Sequence, residues 1–171
     1  PKIWYHWRCH EDSTAENPES KTYAFEAGRR AVQEHYNRTG IQAKVLDGEF
    51  LGLYRTEFIR DHDPLISIII PNKDHIDDLK RCMDSIDQKS TYQNYEYVIV
   101  ENNSTDPATF EYYKKLEAEN EKVHVVYWDG VFNYSAINNY GASFARGEYF
   151  LLLNNDTEII NPNCLEELLG Y

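Results

Sequence analysis

The feature that most constrains the fold is a nearly continuous apolar run, Leu65-Ile66-Ser67-Ile68-Ile69-Ile70. A strand with one face in water alternates apolar and polar residues, whereas an unbroken β-branched run is typical of a strand covered on both faces. Apolar side chains then recur at helical spacing over residues 76–86, which predicts a helix with Asp74 as its N-cap. The same alternation repeats along the chain, so the sequence predicts βαβ units and a mostly parallel sheet flanked by helices, an α/β fold.

The remaining elements of this pattern have lengths typical of α/β proteins. They are strands over 95–100, 123–127 and 148–153, a helix that begins at Asp106-Pro107 with Phe110, Tyr113 and Leu116 facing inward, a helix that carries Ile137, Tyr140, Gly141 and Phe144, and a last helix that begins at Asn161-Pro162. Since this last helix reaches the end of the chain and the first residue is not Met, we expect a truncated piece of a longer protein.

The first sixty residues have a different character. Asn17-Pro18 predicts the N-cap and first residue of a helix that runs to about Tyr36 and ends at Arg38-Thr39-Gly40. Weak alternation over 41–60 around Asp47-Gly48 predicts a β-hairpin. We therefore expect an N-terminal helix-plus-hairpin extension over 1–60, a linker over 61–64 and an α/β domain over 65–171.

Composition excludes several function classes. The chain has 17 basic and 29 acidic residues and a formal net charge of −12, and it contains no basic cluster that could neutralise phosphates of nucleic acid. The longest apolar run is too short for a membrane span, and no signal peptide opens the chain. Three scattered cysteines indicate reduced thiols. We expect a cytoplasmic protein with no nucleic-acid partner.

Ligands of parallel sheets bind beyond the carboxyl ends of the strands, and here those positions are rich in Asn and Asp. No glycine lies between Gly52 and Gly130, which excludes a GxGxxG turn or a P-loop after the first strand. A nucleotide would therefore need side chains and a metal. Asp156, with amide neighbours, offers the hard oxygen ligands that suit Mg²⁺ or Mn²⁺ bridging a diphosphate.

Three stretches share the order and spacing of a known family: PLISIIIPNKD over 64–74, VIVENNSTD over 98–106 and FNYSAINNYGASFARGEYFLLLNND over 132–156. Through these stretches, the part of the chain from residue 65 to about 169 resembles the first half of a family 2 glycosyltransferase with the Rossmann-like GT-A fold. The stretch that includes Tyr5-His6-Trp7-Arg8 and residues 21–35 is similar to the segment after the catalytic core in tandem transferases of this family. It is therefore interpreted as the tail of a preceding transferase domain.

The resemblance assigns roles to individual residues. It implies a nucleoside-cupping loop of Pro71, Asn72, Lys73 and Asp74, base and ribose contacts from Glu101 and Asn102 with Asn103 beside them, diphosphate contacts from Asn138 and Asn139, and a metal motif of Asn155 and Asp156 in which Asp156 is the metal ligand. The chain departs from the family pattern at two motifs. The family more often has Asp at both acidic motifs, where this chain has Glu101-Asn102 and Asn155-Asp156.

The resemblance implies an enzyme that transfers a sugar from a nucleotide-diphosphate sugar to a glycan acceptor with inversion, using Mg²⁺ or Mn²⁺, in polysaccharide or cell-surface glycan biosynthesis. The catalytic base is expected beyond Tyr171, so none is named and the fragment is expected to be inactive alone. Peripheral membrane association of the parent enzyme and self-association of the fragment stay open. The alternative is a non-catalytic α/β interaction module, which the amide-for-acid replacements keep open.

Overall fold

The computed structural model describes residues 2–6 and 22–170. These fall into two compact units, one that ends at Asp61 and one over His62–Leu169. Each unit has its own secondary structure.

The first unit is a helix followed by a hairpin, as predicted. Helix α1 spans Thr22–Thr39, and strands β1 (Ala43–Asp47) and β2 (Tyr54–Phe58) pair antiparallel. Gly40 follows the helix with φ +76°, a left-handed conformation that commonly ends helices because glycine adopts it without strain. The hairpin connection covers residues 48–53 and is longer than the two-residue turn that Asp47-Gly48 suggests. The predicted helix start at Asn17-Pro18 lies outside the described residues.

The second unit has the predicted α/β architecture. Its elements are β3 (Ile66–Asn72), α2 (Ile76–Lys89), β4 (Tyr95–Glu101), α3 (Pro107–Glu119), β5 (Val123–Tyr127), α4 (Tyr134–Ala142), β6 (Tyr149–Leu152) and α5 (Cys164–Leu169). The four strands form a parallel sheet in the order β5-β4-β3-β6. The chain adds β4 and β5 on one side of β3 and then crosses to the other side for β6.

Both faces of β3 are covered, which confirms the reading of the apolar run. Ile68, Ile69 and Ile70 are fully buried. The larger core lies between the sheet and helices α2 and α3, and the smaller one lies beneath α4. Helix α4 lies close to the sheet at Gly141, where an added Cβ would be 2.7 Å from methyl carbons of Ile69 and Val100.

The structure corrects several predicted boundaries. Pro71 and Asn72 belong to β3 and Glu101 to β4, because the parallel ladder continues through the pairs Pro71↔Val100 and Asn72↔Glu101. Phe144 lies beyond the end of α4. None of the described helices combines the length and hydrophobicity needed to cross a membrane.

Asp74 is not the N-cap of α2, so that prediction was wrong. His75 occupies the capping position and makes no side-chain cap bond. Asp74 adopts a left-handed conformation with φ 55°, and its carboxylate accepts hydrogen bonds from the loop that precedes α3. The predicted start of α3 is confirmed, since Asp106 accepts a hydrogen bond from Ala108 N at 2.9 Å and Pro107 is the first helical residue.

Candidate functional site

The carboxyl ends of the parallel strands meet at one edge of the sheet, and a cleft of about 410 Å³ lies there. In open α/β sheets this edge, where the strand order reverses, is where ligands bind. The cleft is lined by Pro71, Asn72, Lys73, Asp74, His75, Asn102, Phe132 and Asn155. Segments after three different strands therefore converge on one concavity.

Most of the residues that the sequence pointed to line this cleft, but some do not. Glu101 is buried behind it, and Asn103 is exposed and donates a hydrogen bond to Gly130 O at 2.9 Å. On α4, Asn138 is buried and Asn139 is exposed, and neither belongs to the cleft lining. Asp156 is exposed directly after Asn155.

Sequence reasoning missed two cleft residues, His75 and Phe132. Phe132 is 66% exposed, although large aromatic side chains are usually well buried. It opens one of the three family-like stretches, so the signal was in the sequence. His75 carried no such signal, because the expected cap at Asp74 placed the helix start one residue too early.

Asn102 is the polar side chain in the cleft whose hydrogen bonding is incomplete. The residue is only 5% exposed, and its Nδ2 has no hydrogen-bond partner among the described residues. Its backbone N–H donates to Asn72 O at 2.9 Å, which fixes the residue at the end of the β3–β4 ladder. A buried donor left without an acceptor costs about 1–3 kcal/mol, so a ligand that presents an acceptor here would gain that energy.

Glu101 is the acceptor at the centre of a buried hydrogen-bond network. Its carboxylate accepts from Ser104 N, from Ser104 Oγ at 2.6 Å and from Tyr113 OH at 2.9 Å. Burial and the Glu101 carboxylate raise the pKa of Tyr113, which keeps the phenol protonated as a donor. Glu101 thus fixes the loop after β4 to α3.

The same network extends to β3 and to the segment after β6. Asn72 Nδ2 donates to Tyr113 OH at 2.7 Å and to Asp74 O at 3.0 Å. Asn72 Oδ1 accepts from Asn155 Nδ2 at 2.6 Å. Direct side-chain contacts therefore connect the ends of β3, β4 and β6 beneath the cleft.

Asp74 closes the outer side of the cleft. Its Oδ1 accepts from Thr105 N at 2.8 Å and from Asp106 N at 2.9 Å, and its own N–H donates to Ser104 Oγ at 2.8 Å. The hydrogen bonds from the backbone of Asp106 and Thr105 outweigh desolvation and lower the pKa of Asp74. The carboxylate is thereby committed to holding two loops together.

The segment after β6 supplies one carboxylate at this edge, that of Asp156. In the parts of the chain that the structure describes, no three His, Cys, Asp or Glu side chains are grouped so as to hold a metal ion. Mg²⁺ is commonly held by one or two carboxylates together with substrate phosphates and water. The donor set therefore fits a divalent ion that shares its ligands with a diphosphate, and not a metal cage formed by the protein alone.

Comparison with known proteins shows which family and fold this chain resembles. The model of the family described as "Glycosyl transferase family 2" matches residues 67–171. The chain is similar to a Sinorhizobium fredii protein named "Uncharacterized protein y4gI", with 38% identity over 99% of this chain and 19% of that protein. It is also similar to the Myxococcus xanthus "O-antigen biosynthesis protein RfbC", with 37% identity over 97% of this chain and 13% of that protein. The chain thus spans a fifth or less of the length of these relatives.

A solved structure supports the fold. The mannosyltransferase PcManGT from Pyrobaculum calidifontis, in complex with GDP-Man and Mn²⁺, superposes with a TM-score of 0.57 and 18% sequence identity. The match covers 65% of this chain and 33% of that one. The expected GT-A-type α/β fold is confirmed.

Proposed function

Because the chain belongs to glycosyl transferase family 2, we propose that its second unit is the donor-binding part of an inverting enzyme. This enzyme transfers a sugar from a nucleoside-diphosphate sugar to a hydroxyl group of a glycan acceptor. A place in polysaccharide or cell-surface glycan synthesis is supported by the similarity to an O-antigen biosynthesis protein. Since that similarity and the S. fredii match both extend over the first unit, we also propose that this unit is the tail of a preceding transferase domain.

The observation that carries the proposal is the unpaired amide of Asn102 in the cleft. Nδ2 of Asn102 is buried without a partner among the described residues, at the strand edge where α/β folds bind ligands. Nucleobases and ribose carry carbonyl and hydroxyl oxygens that accept hydrogen bonds. A nucleoside seated between this amide and the Phe132 ring would satisfy the amide and cover an exposed aromatic side chain.

The diphosphate of the donor would lie towards Asp156. Mg²⁺ or Mn²⁺ held between Asp156 and the diphosphate oxygens would supply Lewis-acid stabilisation of the charge that develops on the leaving group. Among the described residues that line the cleft, Lys73 is the only Lys or Arg. We expect it to contribute long-range attraction for the anionic donor.

A thermal-shift titration tests the proposal. The 171-residue chain is titrated with uridine, thymidine and guanosine diphosphates, each with and without Mn²⁺. A ligand that binds only the folded state raises the melting temperature as its occupancy rises. We expect one nucleotide to give a metal-dependent shift that is lost in Asn102→Ala and retained in the exposed control variant Asn161→Ala.

The alternative of a non-catalytic interaction module gives a different result. That module would show no nucleotide-dependent shift with any base, either with or without metal. Shifts of equal size in the wild type and in Asn102→Ala would place nucleotide binding elsewhere and refute the assignment of this cleft.

A further inference from the structure

The hydrogen bonds beneath the cleft end on the Glu101 carboxylate, and this acceptor fixes their direction. The Glu101 carboxylate accepts from Ser104 N and Ser104 Oγ, and Tyr113 donates its single hydroxyl proton to it at 2.9 Å. Tyr113 OH must then accept from Asn72, which places the Asn72 N–H groups towards Tyr113 at 2.7 Å. Asn72 Oδ1 therefore faces Asn155 and requires a donor there, at a distance of 2.6 Å.

The position of Asn72 makes this requirement strict. Asn72 is 3% exposed, so its Oδ1 cannot rely on bulk water. Among the described residues, Asn155 Nδ2 is the donor that this oxygen has. A carboxylate in place of the Asn155 amide would have the same shape, but it would set one acceptor oxygen against another.

We propose that Asn155 is a positioning residue whose amide N–H, donated to Asn72 Oδ1, holds the segment that carries Asp156 against β3. An amide is required there because the Asn72 N–H groups are already donated to Tyr113 OH and to Asp74 O. The functional part of this inference rests on the proposed function, in which Asp156 holds the metal. The chain's departure from an acidic residue at position 155 is thus matched to its own Asn72–Tyr113–Glu101 network. It is not a weakened version of a two-carboxylate site.

The substitution Asn155→Asp separates the two interpretations. If residue 155 is a metal ligand, the added carboxylate tightens Mn²⁺-dependent nucleotide binding. If it is a positioning residue, Asn155→Asp weakens that binding by about tenfold, comparable to losing one buried hydrogen bond. Asn161→Asp adds the same charge at an exposed site and should leave binding unchanged. Affinities are measured by calorimetry with the nucleoside diphosphate that stabilises the wild type in Mn²⁺.

Urea unfolding in EDTA tests the network without any ligand. Asp is isosteric with Asn, so a purely steric role predicts that Asn155→Ala is worse than Asn155→Asp. Opposed acceptors predict the reverse order, with the midpoint of Asn155→Asp lower by about 1 M than that of Asn161→Asp. The loss should persist in a Tyr113→Phe background, because Asn72 Nδ2 still donates to Asp74 O at 3.0 Å and the amide therefore keeps its orientation.

The outcomes distinguish this inference from the proposed function. Tighter nucleotide binding in Asn155→Asp, or an Asn155→Asp loss no greater than that of Asn155→Ala, overturns the inference while the cleft still binds nucleotide. A wild-type chain that binds no nucleoside diphosphate in Mn²⁺ contradicts the proposed function. In that case the unfolding cycle still decides whether the network requires an amide at Asn155.

Discussion

Replacing Glu101 by glutamine removes the charge from the carboxylate on which the strand-end network converges. Glu101 is 3% exposed and accepts from Ser104 N, Ser104 Oγ and Tyr113 OH. A glutamine side chain has the same shape but only one acceptor oxygen. If that oxygen takes the position that accepts from Ser104 Oγ and Tyr113, the new amide NH₂ group faces the Ser104 N–H, donor against donor.

The expected loss follows from these contacts. A hydrogen bond to a charged group contributes about 1.5–3 kcal/mol, compared with about 0.5–1.5 kcal/mol for a neutral pair. Glu101→Gln loses one charged bond and converts two others to neutral ones, which gives a destabilisation of about 5 kcal/mol. With a denaturant slope of about 2 kcal/mol/M, the urea midpoint should fall by about 2.5 M.

The assay is urea unfolding followed by tryptophan fluorescence. Because the chain has three tryptophans, Trp4 and Trp7 are replaced by Phe so that Trp128 alone reports on the second unit. Glu111→Gln is the matched control, since Glu111 is an exposed residue that pairs with Lys114 at 3.1 Å and should change stability by less than about 0.5 kcal/mol. A Glu101→Gln midpoint equal to that of Glu111→Gln would refute the buried network.

Two further perturbations test the packing and the loop closure. Gly141→Ala should destabilise the second unit by about 1–3 kcal/mol, because the added Cβ would be 2.7 Å from methyl groups of Ile69 and Val100. Helix propensity alone would leave the urea midpoint unchanged or raise it, and that result would contradict the close approach of α4 to the sheet. Backbone donors including Asp106 N lower the pKa of Asp74 in the folded state. The ionised Asp74 carboxylate therefore contributes to stability above the ordinary carboxyl pKa, and this contribution is lost as the pH falls through the pKa of the folded state. The urea midpoint of the wild type should therefore exceed that of Asp74→Asn by a constant amount near neutral pH, and the difference should shrink below about pH 4. A difference that persists undiminished to pH 2.5 would contradict the role of the ionised Asp74 in holding the two loops together.

Periodicity predicted the fold well because the second unit is a regular parallel α/β structure. The β-branched run over 65–70 is typical of a doubly covered strand, and Asp106-Pro107 carries a complete helix-start signal in two adjacent residues. Asp74 misled the same reasoning, because a capping residue is recognised by its distance from the helix, whereas its true partners are Thr105 and Asp106 in the loop before α3. Such a tertiary interaction produces no periodic pattern in the sequence.

The location of the candidate site could be predicted from the sequence, but the roles of its individual residues could not. The polar strand ends identified the edge of the sheet, and Asn102 and Asn155 line the cleft that forms there. Glu101 has the same kind of sequence position as Asn102, yet it points into the core. Alternation decides this difference, since successive residues of an extended chain point to opposite sides. Which side faces the cleft depends on α3 and Tyr113, which only the structure shows.

The most direct test of the account is whether Mn²⁺ and a nucleoside diphosphate bind to this chain only together. Free and bound Mn²⁺ are measured by electron paramagnetic resonance with the wild type, with Asp156→Ala and with Glu121→Ala, which removes a carboxylate before β5 at the opposite end of the strands. Since the described residues hold no preformed cluster of metal ligands, we expect Mn²⁺ to bind only when the nucleotide is present, equally in the wild type and Glu121→Ala and not in Asp156→Ala. Nucleotide binding that is unaffected both by Mn²⁺ and by the loss of Asp156 would contradict the account.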